Sequence, residues 1–244
     1  MSLKIERLLS RANKLNRKGE VDQAKRIYSS ILEISPDNKI AKNQLIALEH
    51  NQALNPNKAE LDEVIKLYSN GLLNESLKAV NLMIQNHPRE PILFNISGAC
   101  YSAIGPSDNA IKDFKKAISL KPDYSEAHYN LGVVFQKIDQ NDDAFNCYEK
   151  AISIKHAYPQ AHNNIGMINL KNRSLEAAVK SFEWAVAYSP NYVEAHNNLG
   201  AAFQELMLYE KAMDQYKKAL AINPKFAQSL NNLGATCEIF GLNE

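Results

Sequence analysis

Three stretches decide the reading: Glu126-Ala127-His128-Tyr129-Asn130-Leu131-Gly132, Gln160-Ala161-His162-Asn163-Asn164-Ile165-Gly166 and Glu194-Ala195-His196-Asn197-Asn198-Leu199-Gly200. Each starts 34 residues after the one before. A fixed period of this size marks stacked copies of one supersecondary unit. The frame defines full blocks at 125–158, 159–192 and 193–226. It extends back through 91–124 and 57–90 and forward into 227–244, and a further unit fits 5–38. No strand-like alternation competes with the helical period.

The glycines and prolines test the frame. Numbering each block from 1 to 34, Gly98, Gly132, Gly166, Gly200 and Gly234 fall at position 8, and Gly19, Gly71, Gly105 and Gly241 at position 15. These are all nine glycines of the chain. A glycine inside a helix costs about 1 kcal/mol against alanine, so position 8 predicts a close approach by a neighbouring helix. Position 15 predicts the left-handed end of the first helix. Pro36, Pro88, Pro122, Pro190 and Pro224 share position 32, past the second helix, where His156 stands in one block; that corner is expected to be looser. Pro91 and Pro159 open their blocks, the tolerated first position of a helix. Position 20 is alanine in every full block except that of Ser76. Position 24 is Tyr28, Phe114, Tyr148, Phe182 or Tyr216, with Val80 once. Position 27 is alanine in the four later full blocks and Ile31 or Met83 in the two earlier ones. An aromatic knob among alanines lets two antiparallel helices pack closely.

Leu131, Gly132, Phe135, Ala144, Tyr148 and Ala151, followed by the corner and its proline in other blocks, resemble the tetratricopeptide repeat (TPR) motif over essentially the whole chain. The resemblance implies an all-α fold, a right-handed α-solenoid of helical hairpins with a concave inner face. Each hairpin then buries its apolar side only against its neighbours. The organisation expected is an N-terminal unit, 1–56, followed by a main solenoid, 57–244. Within the first, 39–56 offers one apolar-periodic helix, Ile40 to about Leu48, then Asn55-Pro56. At the other end, 227–244 supplies a first helix and stops at position 18. Leu230, Leu233, Cys237, Ile239 and Phe240 are then expected to lack a covering helix. That predicts a fragment of a longer protein, or a homo-oligomer formed through this helix.

The chain has 28 basic and 27 acidic side chains, so no overall field favours nucleic acid. Residues 1–56 are locally basic, with Lys4, Arg7, Arg11, Lys14 and Lys18 at helical spacing beside the apolar stripe Ile5, Leu8, Ala12 and Leu15. That stripe is read as a solvated face, or else as a surface for an acidic partner or anionic membrane. Cys100, Cys147 and Cys237 have no metal-binding spacing and their number is odd, so a reducing, cytoplasmic setting is expected. The start of the chain is charged where a signal peptide is apolar. No apolar run approaches the ~20 residues of a membrane-spanning helix.

The most informative functional pattern is a row of asparagines. Position 6 is Asn130, Asn164, Asn198 and Asn232, and position 5 adds Asn163, Asn197 and Asn231. Asparagine is a poor helix-interior residue, and its amide both donates and accepts. Such a row can grip the backbone of an extended peptide without reading side chains; the alternative is inheritance by duplication. It resembles the asparagine ladder in the TPR superhelix of O-linked N-acetylglucosamine transferases. TPR domains that hold a C-terminal carboxylate use a Lys/Arg clamp, whereas position 2 here is Glu126, Gln160, Glu194 or Gln228. The charge-assisted pairing a carboxylate needs is missing. His128, His162 and His196 lie one repeat apart, too far to share a zinc ion with bonds near ~2 Å, and are read as packing residues. Asn95-Ile96-Ser97 matches a glycosylation sequon, which a cytoplasmic chain would not use. No phosphate-cradling loop, Cys/His pair or carboxylate pair points to catalysis. The expectation is therefore a non-enzymatic scaffold binding an extended protein or peptide segment, with no cofactor or metal. Two alternatives stand beside it: the substrate-recruiting arm of a larger glycosyltransferase or sulfotransferase, and a self-assembling module.

Overall fold

A computed structural model describes residues 2–18, 20–54 and 56–241. Among them every regular element is a helix. In order these are α1 (Ser2–Arg17), α2 (Val21–Ile34), α3 (Lys39–Leu54), α4 (Lys58–Ser69), α5 (Leu73–Asn86), α6 (Pro91–Ile104), α7 (Ser107–Leu120), α8 (Ser125–Lys137), α9 (Asn141–Ile154), α10 (Pro159–Lys171), α11 (Leu175–Tyr188), α12 (Val193–Glu205), α13 (Tyr209–Ile222) and α14 (Ala227–Phe240). The chain forms two compact units, Met1–Leu93 and Phe94–Glu244. The expected boundary after residue 56 falls inside the first of these.

In the first unit α3 packs on the hairpin before it. Ala41 and Leu48 are buried in one cluster with Ala12, Ala24, Tyr28 and Ile31, so α3 makes a third layer on the α1–α2 hairpin. The helix also runs to Leu54, six residues past the Leu48 expected from the apolar stripe. An α-helix continues until its backbone is interrupted, and here the first interruption is Pro56. Asn38 starts the helix, its Oδ1 accepting from the Ala41 amide at 2.9 Å.

The packing rule inside a hairpin is visible at position 8. A methyl group added at Gly98, Gly132, Gly166 or Gly200 would lie 2.8, 2.7, 2.6 or 2.6 Å from the ring of Phe114, Tyr148, Phe182 or Tyr216 respectively. Each ring belongs to position 24 of the same repeat and is essentially fully buried. Alanines Ala110, Ala117, Ala144, Ala151, Ala178, Ala185, Ala212 and Ala219 flank these rings in the sequence and are fully buried. Where position 24 is Val80, position 8 is Val64, so volume moves from one helix to its partner, and both are buried. Gly234 has no atom within 4 Å of an added methyl, having no second helix beside it among the described residues.

Position 15 has a positive φ in every repeat where it is described. Gly71 and Gly241 have φ of +75° and Gly105 +140°, while Asp139, Arg173 and Met207 hold the same position at 59°, 61° and 59°. Gly19 lies outside the described residues. The corner after α9, where His156 stands in place of proline, closes with a different hydrogen bond. Other corners close with an i→i+3 bond, such as Tyr124 N to Lys121 O at 3.1 Å and Tyr192 N to Ser189 O at 3.0 Å. At His156 the bond is Tyr158 N to His156 O, 3.0 Å, a three-residue turn.

Candidate peptide-binding face

First helices α10, α12 and α14 touch in succession, so their side chains form a strip, with Asn130 on α8 of the hairpin before it. Asn163, Asn164, Asn197, Asn198, Asn231 and Asn232 lie on these three helices, and asparagines bond one another across repeats. Asn198 Nδ2 donates to Asn163 Oδ1 at 3.0 Å, and Asn232 Nδ2 donates to Asn197 Oδ1 at 3.1 Å. Asn130 Nδ2 donates in the same way to Asn95 Oδ1 at 3.1 Å. Position 6 of one repeat thus donates to position 5 of the preceding repeat. Position 5 before Asn164 is Tyr129, and there Asn164 Nδ2 donates to the Tyr148 hydroxyl at 3.1 Å. Its amide also bonds Tyr129, opposing the upward pKa shift that burial gives that phenol.

Burial divides the row. Asn163 and Asn197 are buried, Asn130, Asn164, Asn198 and Asn232 are half-buried, and Asn231 is exposed. A buried amide needs its bonds satisfied, and Asn197 Oδ1 meets this by also accepting from the Ser229 hydroxyl at 3.0 Å. Asparagine therefore recurs mid-helix for a structural reason that the spacing alone did not reveal. An amide carries two N–H groups, of which each position-6 asparagine commits one inward.

A second coupling escaped the sequence reading. Tyr148 and Tyr216 donate to Gln136 and Gln204 at 2.8 and 2.9 Å, position 12 of their own repeats. Where position 24 is Phe182, position 12 is Leu170. A phenol at the core edge needs an acceptor and a phenyl ring does not. In the first repeat Ala12 occupies position 8, and the Tyr28 hydroxyl bonds Asn13 at 2.6 Å instead. Burial pushes the Tyr216 phenol up to about 12 and raises that of Tyr148 as well.

The histidines close the corners between hairpins. His128, His162 and His196 place Nε2 at 3.0, 3.0 and 2.9 Å from the carbonyls of Pro122, His156 and Pro190. Each is position 4 holding position 32 of the preceding repeat. Burial lowers the pKa of His128, and the Pro122 bond opposes that shift. No group of three His, Cys, Asp or Glu side chains able to hold a metal ion occurs among the described residues.

Other expected features have ordinary surroundings. Glu126 accepts from Ser125 at 2.9 Å and lies 3.9 Å from Lys155. The basic residues of α1 are exposed, and Ile5, Leu8 and Leu15 pack against the first-unit core. In the sequon, Ser97 is buried and donates to Asp113 at 2.6 Å, while Asn95 is bonded to Asn130. On α14, Leu230, Ile239 and Phe240 are exposed, but Leu233 packs against the core around Phe182 and Phe203, and Cys237 lies against Met213.

Comparison with known proteins agrees with the repeat geometry. Family models described as "TPR repeat" and "Tetratricopeptide repeat" match residues 101–139 and 174–206, 193–226, and 125–157. The chain is a tetratricopeptide repeat protein. A peroxisomal targeting signal receptor of Candida albicans is 30% identical over 86 residues, which is 33% of this TPR chain and 14% of that receptor's length. Among solved structures, Pseudomonas aeruginosa pilF has a TM-score of 0.70 at 14% identity, covering 75% of this chain and 84% of its own. YrrB, described as a TPR protein with an unusual peptide-binding site, has a TM-score of 0.58 at 19% identity, covering 84% of this chain and 96% of its own. These likenesses establish the all-α helical-repeat fold. No described helix is long and apolar enough to cross a membrane.

Proposed function

We propose that this TPR protein is a protein-interaction scaffold whose first-helix face, from α8 to α14, holds an extended polypeptide segment by its backbone. The observation that carries the reading is the cross-repeat amide ladder. Asn130, Asn164, Asn198 and Asn232 are half-buried and each has one N–H fixed by a bond to its neighbours. A fixed amide loses little rotamer freedom on binding, and its second N–H can meet a peptide carbonyl. The row repeats once per hairpin and lacks the charge that would read a carboxylate or phosphate. The peptide-binding site named for YrrB and the targeting-signal receptor relative support the same class of partner.

The test is a random library of eight-residue peptides bound to the wild-type chain and to Asn198→Ala. Loss of one net hydrogen bond corresponds to about a 2–10-fold loss of affinity. Binders that lose affinity by that factor in Asn198→Ala should share no side-chain consensus. A library from which no binder loses affinity in Asn198→Ala would refute the reading.

A further inference from the structure

A second surface lies between the second helices α11 and α13, over α12. It is a groove of about 590 Å³ lined by Glu183, Val186, His196, Leu199, Phe203 and Lys218, among others. By helical spacing, His196, Leu199 and Phe203 share one stripe of α12, away from Asn198. The groove therefore does not belong to the asparagine face.

The neighbouring repeats show what the same place does when it is filled. Over α8, position 25 is Lys115, whose Nζ stands 5.8 Å above the Phe135 ring at position 11. Over α10, positions 26 and 30 are Trp184 and Tyr188. Their rings stack 5.6 Å apart and lie 6.4 and 5.5 Å from the His162 ring at position 4. Over α12 there is neither a lysine at position 25 nor an aromatic pair at positions 26 and 30. Position 25 is Glu183, and positions 26 and 30 are Lys218 and Ile222; the floor of the groove is His196, Leu199 and Phe203, all almost fully buried, with Gln215 Oε1 2.8 Å from His196 Nδ1. Lys218 is drawn to Asp214 at 2.7 Å along its own helix. Lys211 stands 5.6 Å over the Phe203 ring without forming a wall of the groove.

We infer that the α11–α13 groove is a binding site for an aromatic side chain, next to a basic residue, on a partner polypeptide. The chain's own Trp184 and Tyr188, laid against the equivalent histidine, show the kind of group this place accepts. An aromatic ring in the groove removes water from half-buried Val186 and exposed Ala187 and Ile222 and offers its face to the His196 ring. The basic neighbour follows from Glu183, a carboxylate where the repeat over α8 has a lysine. The site stands apart from the asparagine row, so either can fail alone.

The probe is the dipeptide acetyl-Trp-Arg-amide, titrated while the methyl resonances of Val186 and Leu199 are followed by NMR. Saturable shifts are expected, with a Kd on the order of 1 mM for so small a ligand. Acetyl-Leu-Arg-amide should bind at least several-fold more weakly. Two variants borrow the closures of the neighbouring repeats: Lys218→Trp with Ile222→Tyr, and Glu183→Lys. Each should weaken the dipeptide at least tenfold with helicity unchanged. The converse pair, Trp184→Lys with Tyr188→Ile, should open the groove over α10 and add a second set of shifts at Ile165. This pair keeps the test decisive if a closed variant does not fold. The inference is overturned by an absence of saturable shifts in the wild-type chain or by equal binding of the leucine dipeptide. Full binding by a folded closed variant would overturn it as well, as would an opened variant that gains no shifts at Ile165.

Discussion

At the scale of single residues, the glycine–aromatic pair sets how closely two helices approach. The ring of Phe182 would meet a methyl on Gly166 at 2.6 Å, in a site with no exposure through which the ring could yield. Overpacking of this kind costs roughly 1–3 kcal/mol, while alanine returns up to about 1 kcal/mol of helix propensity. Gly166→Ala should therefore lower stability by about 1–2 kcal/mol, read as a lower denaturation midpoint. Gly234→Ala meets nothing within 4 Å and should be neutral or stabilising. Equal effects of the two substitutions would remove the ring from the explanation. Both glycines were legible as position 8 of one frame. That one faces a ring and the other open space follows from the presence of a second helix beside it.

At the scale of helices and corners, the repeat tolerates a cost at its turns that glycine would avoid. Met207 holds a left-handed φ of 59° where other repeats have glycine. A side chain in this conformation costs about 1–2 kcal/mol, partly offset by the greater freedom of glycine in the unfolded chain. Met207→Gly should stabilise the protein by about 0.5–1 kcal/mol in equilibrium denaturation, and a loss of stability would contradict the account. The period, the helix pairs and the buried knobs were readable because each follows from residue size or backbone freedom at a fixed position. Bonds between repeats were less readable. The Asn198–Asn163 bond spans 35 residues and depends on the rotation of one hairpin against the next, which no single repeat encodes. Likewise, the tyrosine–glutamine pair becomes visible only when Gln136 and Gln204 are set against Leu170 beside Phe182.

At the scale of the whole molecule, a buried phenol, a half-buried phenol and a half-buried thiol tie stability to alkaline pH. Burial pushes Tyr216 and Tyr192 up to about 12 and Cys147 up to about 11. In the unfolded chain these groups ionise near their ordinary values, about 10 for tyrosine and about 8.5 for cysteine. Over that window the folded state binds more protons than the unfolded state, so stability is fully present below about pH 8.5 and falls as pH rises through about 12. The denaturant midpoint should be lower at pH 10.5 than at pH 8, and a flat profile would contradict it. The central claim concerns the row of amides that the stacked first helices bring together. Asn164, Asn198 and Asn232 also hold the repeats together, so replacing all three would weaken folding and binding at once. A direct measurement leaves them in place: the side-chain NH2 resonances of Asn130, Asn164, Asn198 and Asn232, followed by NMR as a library-selected peptide is added. The account predicts that one proton of each amide shifts on binding while its partner, already bonded to the neighbouring repeat, moves little. Saturation of the peptide with these resonances unmoved would contradict it.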